Sequence, residues 1–330
     1  MNKNNNKNNP VTDRSSGVRS MLLGNAYTLV AILLFAANIP VVKLLIPRWM
    51  NVDGVTIVRI VGGCLLFWVA SLFVKRDPLE KSDFWRVFLG GGITVFLFIY
   101  LLNFALKYGN PIDVSIIMTL PPVYVLIYQM IFKHRRPSWL EVAGILIAFA
   151  GAVIVIAGGQ QTRHAPDPLL GDLIAILCGL AYMLYLLILE KPTHKYKPVP
   201  MLKWVFLGAS IPCLFICPWG MTSAPILHTQ AEFMPWFWTI FLMAGPSFLA
   251  YLLINPAIKL IGSELVAIYQ YFMPVATTII VVLLGEARFQ WIEGVAIVMI
   301  ILGMILTDYA NHSSLNRSRT GNANSKSNPS

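Results

Sequence analysis

The sequence predicts an all-α integral membrane protein of ten transmembrane helices, built as two inverted five-helix repeats. Three observations predict it: a composition unsuited to a water-facing surface, ten apolar runs of bilayer length, and a pattern that the chain states twice. Of 330 residues, 57% are hydrophobic and 12% charged, and the mean hydropathy is +0.67. Soluble domains carry about 45 to 50% apolar and about 25% charged residues, so a soluble enzyme is excluded. The same apolar excess excludes a disordered chain, and four cysteines are too few for a disulfide-built secreted fold.

A run of about 20 apolar residues crosses a bilayer as a helix because the helix satisfies its own backbone hydrogen bonds in lipid. Such runs fall at residues 24–45, 55–74, 84–106, 111–132, 139–157, 170–189, 201–220, 235–258, 264–284 and 291–309, numbered here as spans one to ten. The connections are short and leave no room for a sizeable soluble domain. Span one begins only after a polar tail, which suits a retained helix and not a cleaved signal peptide. Residues 1–20 and 311–330 are rich in Asn, Ser and basic side chains and are expected to be disordered tails.

Basic residues set the orientation, because Lys and Arg resist translocation. With the N-terminus inside, 19 of the 25 Lys and Arg fall on the cytoplasmic side and five outside, with Arg59 left within span two. Both termini are therefore expected in the cytoplasm. The formal charge of +10 then belongs to topology and the anionic inner leaflet, with no nucleic-acid partner implied.

The repetition is the most informative feature. Leu102-Asn103-Phe104-Ala105-Leu106-Lys107 reads against Ile254-Asn255-Pro256-Ala257-Ile258-Lys259, with Gly109 or Gly262 soon after each. Pro121 and Pro274 follow those glycines at equal distance, Trp139-x-Glu141 matches Trp291-x-Glu293, and Gly151 falls on Gly303. Spans one and six also start alike, at Gly24-Asn25 and Gly171-Asp172. The first repeat is placed at 21–158 and the second at 169–310. Five spans per copy is an odd number, so the second copy enters the membrane from the opposite side. Inverted repeats of this kind characterise secondary transporters, in which one half rocks against the other.

In order and spacing, these residues resemble the EamA-like ten-helix permeases of the drug/metabolite transporter superfamily. The resemblance runs from Gly24 to Tyr309. It includes Asn38-Ile39-Pro40-Val41-Val42-Lys43 in span one, Val58-Arg59 in span two, Ala105-Leu106-Lys107-Tyr108 closing span three, Gly171-Asp172 opening span six and Gly285-Glu286 ending span nine. Phe35 stands where relatives often carry tryptophan, and Lys133-His134-Arg135-Arg136 replaces a Gly-Glu-Arg-like turn. The resemblance implies a plasma-membrane permease of small metabolites, and an exporter in particular.

In such folds the solute binds near the bilayer midplane, beside helices interrupted at matching positions of the two halves. Pro121 and Pro274 meet that requirement, and Pro40 interrupts span one; lacking an N–H, they release the carbonyls of Ile117, Gln270 and Ala36. Polar groups near the breaks complete the expected cavity: Asn38, Tyr100, Asn103, Tyr124 and Tyr128 in the first half, then Tyr182, Tyr185, Tyr251, Asn255, Tyr269 and Gln270. Arg59 is the possible contact for an anionic group, with snorkelling to the outer interface as its other reading. Glu141, Glu293, Asp113 and Asp172 sit within a turn or so of helix starts, where a carboxylate caps the helix near water.

No residue pattern supports catalysis, a metal site or a cofactor. The five histidines fall in loops or a tail, and no phosphate-binding Gly-x-x-x-x-Gly-Lys loop occurs. The expected partners are a small-molecule solute and the lipid bilayer, with a homodimer left open. The best reading is a secondary transporter exporting neutral or zwitterionic solutes such as amino acids. With no acidic residue securely at mid-bilayer, facilitated diffusion or exchange is expected. A membrane sensor or partner subunit, and a flippase of lipid-linked intermediates, are the alternatives.

Overall fold

The computed structural model describes residues 10–132, 138–158, 165–228, 233–270, 272–285, 288–303, 305–306 and 309. Among them the chain is helical throughout, apart from turns, and it is a multi-pass membrane protein. Six helices are long and apolar enough to cross a bilayer: Ser20–Leu45, Val52–Ser71, Lys81–Tyr108, Pro168–Lys195, Pro198–Ile216 and Phe233–Ile261. Three shorter apolar helices follow the later expected spans, at Trp139–Gly151, Met273–Leu283 and Trp291–Gly303.

Local chemistry starts these helices. The Asn51 side chain accepts from Gly54 N at 2.6 Å, Asn110 from Ile112 N at 3.2 Å and Asp167 from Leu170 N at 3.1 Å. Pro111 and Pro168 follow the latter two caps as first helical residues, where a missing N–H costs nothing. Ser138 and Glu141 exchange bonds as a capping box, Ser138 N donating at 2.9 Å and Glu141 N at 3.2 Å.

Spans four and nine are broken. Span four runs as Pro111–Ile117 and then Pro121–Phe132. The Ile117 carbonyl that Pro121 abandons accepts from Leu120 N at 3.1 Å, so a tight turn takes up the loss. Span nine breaks after Gln270 and resumes as Met273–Leu283, with Pro274 at its start. The Ala36 carbonyl released by Pro40 accepts from Thr277 Oγ1 at 3.3 Å, so that break ties span one to span nine.

Two expected boundaries differ. The first helix begins at Pro10, inside the segment expected to be a disordered tail. A loop was expected near 259–263, yet helix Ala250–Gln270 runs through it. The matching point of the first repeat is Gly109-Asn110-Pro111, where Pro111 holds Asn110 extended at ψ 132°. The second copy reads Gly262-Ser263-Glu264 and has no proline to force such a break.

Span one against the helix Ala250–Gln270, and span three against span six, are the two most extensive helix pairs. The repeat read from the sequence exchanges these two pairs, and each joins one helix from either half. Small residues allow the closest approaches, as in membrane helix packing generally. A Cβ on Gly92 would meet the Gly208 carbonyl carbon at 2.5 Å, bringing spans three and seven into backbone contact. Spans three and eight both contain a π-helical turn, at Arg86–Gly91 and Gly245–Leu249.

Candidate functional site: a central cavity around Arg59

A cavity of about 60 Å³ lies between the two helix pairs. Span one contributes Ile32, Phe35, Asn38 and Ile39, span two Arg59, and span three Phe98 and Leu102. Tyr182 and Tyr251 come from spans six and eight, while Met118 and Met273 come from the two helix breaks. Room for a water takes roughly 10 to 15 Å³ on this measure, so the space holds a few waters in this conformation.

Arg59 is its only charged wall and is 1% exposed. Its Nη1 donates to Asn103 Oδ1 at 3.2 Å, and its Nε approaches Ser247 Oγ at 3.4 Å. Asn103 in turn donates to Thr56 Oγ1 at 2.9 Å, and Thr56 to the Val52 carbonyl at 2.7 Å. This chain holds the guanidinium at Nε and Nη1. Among the described residues Arg59 makes no ion pair. Burial rules out snorkelling to the outer interface in this conformation.

Asn38 presents the opposite need. It is 2% exposed, and its Oδ1, a hydrogen-bond acceptor, has no partner. Aromatic rings surround it. Phe35 meets Tyr251 edge-on at 5.6 Å, Phe98 and Tyr182 lie 5.0 Å apart, and Tyr185 sits behind them, 5.8 Å from Tyr182 and 6.2 Å from Tyr251.

Of the residues expected to form the site, Asn38, Arg59, Tyr182 and Tyr251 line the cavity directly. Asn103 and Tyr185 stand one layer behind, holding Arg59 and packing on the tyrosines. Tyr100 packs between Phe96 and Phe104 on its own helix. Tyr124 packs against Gly179 of span six with its hydroxyl buried and unpartnered, and Asn255 donates to the Tyr251 carbonyl at 2.9 Å. Pro40, Pro121 and Pro274 lie outside the lining and act through the breaks they make. The Gln270 side chain lies outside the described residues. Phe35, Phe98, Met118 and Met273 carry no signal in an apolar span, although a methionine stands within three residues before each break-making proline.

The acidic residues read as water-exposed caps are not exposed. Asp113 is 4% exposed, Asp172 and Glu141 0% and Glu293 3%, because neighbouring spans cover these helix starts. At the other end of the bundle Lys195 Nζ pairs with Glu80 at 2.6 Å and Asp83 at 2.8 Å, and the Tyr196 hydroxyl also donates to Asp83 at 2.8 Å. That rim ties the loop before span three to the end of span six.

Known proteins place this architecture. The pattern that defines the EamA-like transporter family matches twice, over residues 22–157 and 169–308. The chain is 26% identical over 242 residues to the uncharacterized transporter YyaM of Bacillus subtilis (strain 168), covering 73% of this chain and 78% of that protein. It is 22% identical over 289 residues to the aromatic amino acid exporter YddG of Salmonella typhimurium (strain 14028s / SGSC 2262), covering 84% of this chain and 94% of that one. A solved crystal structure superposes with a TM-score of 0.58 at 20% identity, over 88% of this chain and 96% of the other, and so shares its fold.

Proposed function

The chain belongs to the EamA-like transporter family, and from that premise we propose that it exports zwitterionic metabolites of the amino-acid class by alternating access between two inverted five-helix repeats. The proposed topology has ten spans in the plasma membrane, repeats at 21–158 and 169–310, and both termini in the cytoplasm. A named exporter of aromatic amino acids among its relatives points the same way.

The observation that carries the reading is a pair of complementary vacancies on one cavity. Among the described residues Arg59 is a buried cation without a carboxylate partner, and Asn38 Oδ1 is a buried acceptor without a donor. A buried charge is costly unless something pairs it. A solute carboxylate beside Arg59 removes that cost, and an ammonium donating to Asn38 supplies the missing donor. The aromatic faces favour the same cation and an apolar side chain. A lone organic cation finds no carboxylate here, and Arg59 repels it. The small volume requires the cavity to widen as the halves rock, consistent with loading from one side at a time.

Counterflow in liposomes containing only this chain tests the reading. Labelled aromatic and branched-chain amino acids should exchange against internal unlabelled pools, and their carboxamide analogues, which lack the anion, should exchange at least tenfold more slowly. Equal rates for acids and amides, or none above protein-free liposomes, would remove the proposal.

A further inference from the structure

A second polar constellation lies apart from the cavity, at the outer ends of the helices in the proposed orientation. Asp113 of span four, Asp172 of span six and Glu293 of span ten are all buried there, and Asp113 lies within electrostatic reach of both others. Glu293 is held, accepting from Asn110 Nδ2 at 3.1 Å and from Gln290 N at 2.9 Å. Asp172 is different: fully buried, it has no hydrogen-bond partner on either carboxylate oxygen.

The surrounding charges do not supply one. Lys43 of span one directs its ammonium to the carbonyls of Leu106 and Gly109, at 2.6 and 2.9 Å. Lys107, at the end of span three, is exposed and lies over the rings of Phe104 and Tyr108. Asp167 caps span six itself, and Tyr124 of span four packs on Gly179 with its hydroxyl unpartnered. Arg163, His164 and Glu286 lie outside the described residues.

The internal repeat does not duplicate the cluster. In the alignment that pairs Gly109 with Gly262, Asp113 corresponds to Val266, and the Gly24-Asn25 match pairs Asp172 with Asn25. Only Glu293 has an acidic mate, Glu141. Capping does not account for Asp172, because a cap accepts from backbone N–H groups and neither of its carboxylate oxygens has a partner.

We propose that Asp172, with Asp113 and Glu293 beside it, is an outer proton-binding site whose occupancy holds the outer ends of spans three and six together. In this structure those ends touch: a Cβ on Gly171 would run into the Gly109 backbone, and Asp167 N donates to the Tyr108 carbonyl at 3.2 Å. The contact seals Asp172 from water. An ionised carboxylate sealed without a donor is strongly disfavoured, whereas a protonated one is tolerated. Once the ends part and water enters, the ionised form is the stable one. The proton thus binds the closed arrangement better than the open one, and external acid shifts the population toward closure.

The inference rests on the proposed orientation and not on the solute, so its test uses no transport. With the four native cysteines replaced, a cysteine at Ile112, fully buried in the first turn of span four, reports opening, and one at exposed Thr222 is the reference. Labelling by an impermeant thiol reagent, taken as the ratio of the two sites, cancels the thiol's own pH dependence. The ratio should rise about tenfold from acidic to alkaline outer buffer, and in Asp172→Asn it should stay at its low, acidic value throughout. A second variant guards against misfolding: Asp113→Asn is isosteric, leaves Asp172 in place, and should keep a pH-dependent ratio. A flat ratio in the parent, a surviving pH dependence in Asp172→Asn, or a flat ratio in Asp113→Asn would overturn the proposal. Absent solute flux with an intact labelling response would instead count against the transport reading alone.

Discussion

Arg59 is a guanidinium enclosed by protein, held at Nε and Nη1 by Ser247 and Asn103, and it lines the cavity. Glutamine in its place keeps hydrogen-bonding capacity for Asn103 but removes the charge. Arg59→Gln should therefore reach the membrane at normal abundance and melt near the parent temperature, because a desolvated cation has been removed along with its polar contacts. A hydrogen bond to a charged group contributes about 1.5 to 3 kcal/mol, so exchange of a zwitterion should fall by ten- to a hundredfold or so. Exchange of the carboxamide should hardly change. Loss of both rates together, or of neither, would separate Arg59 from the carboxylate. At this scale the sequence was legible where a polar group stood out from lipid-compatible neighbours, as with Asn38, Arg59, Tyr182 and Tyr251. It was opaque where the wall is apolar. Phe35, Phe98, Met118 and Met273 are indistinguishable by type from lipid-facing residues, and of the four only Met118 and Met273 stand at helix breaks. Asp172 was misread for the complementary reason, since a carboxylate near a helix start looks like a cap until neighbouring spans are seen to cover it.

Among the helices, the breaks in spans four and nine matter most, because each delivers one methionine to the cavity. Proline is the cause in both, and that was readable from Pro121 and Pro274 alone. The absence of a break through 259–263 was less readable, since Gly262 looks like Gly109 and only the missing proline distinguishes them. Pro122 follows directly, so both rings must go: Pro121→Ala together with Pro122→Ala restores two N–H groups and removes both clashes, and the helix can run through 118–120. Proline in a helix interior costs about 3 kcal/mol, and the variant should resist heat as well as the parent or better. A continuous helix would swing Met118 away from the cavity. Hydrogen exchange of the amides at 118–121 should slow, and solute exchange should drop about fivefold or more, since binding by a population-limited conformer scales with its fraction. Unchanged protection at these amides with unchanged flux would show that the break does not depend on Pro121 and Pro122.

For the molecule as a whole, the repeat was legible because it survives as spacing, with glycine, proline and Trp-x-Glu at matching intervals, even where residue types diverge. The consequence that each half is interleaved with the other was not legible. It follows from spans one and three packing most extensively on partners from the opposite repeat, and no periodicity reports which helix a face meets. Interleaving makes the topology a sharp test, since a single misplaced crossing would put the partners of each pair in opposed orientations. The point of greatest exposure is Ala250–Gln270: ten crossings require a reversal near Lys259, and an uninterrupted helix does not supply one. The distribution of basic residues places Lys259 and Lys197 inside, and Thr222 and Arg288 outside. All four are exposed, and all four native cysteines are buried, so replacing the latter leaves a quiet background. Single cysteines at Lys197 and Lys259 should react with an impermeant thiol reagent only after the membrane is opened, while those at Thr222 and Arg288 should react in intact cells. Outside labelling at Lys259 with Lys197 still protected would mean that the chain does not return between spans eight and nine. The second repeat would then lack its inverted partner for span three, and the alternating-access proposal would lose the symmetry on which it depends.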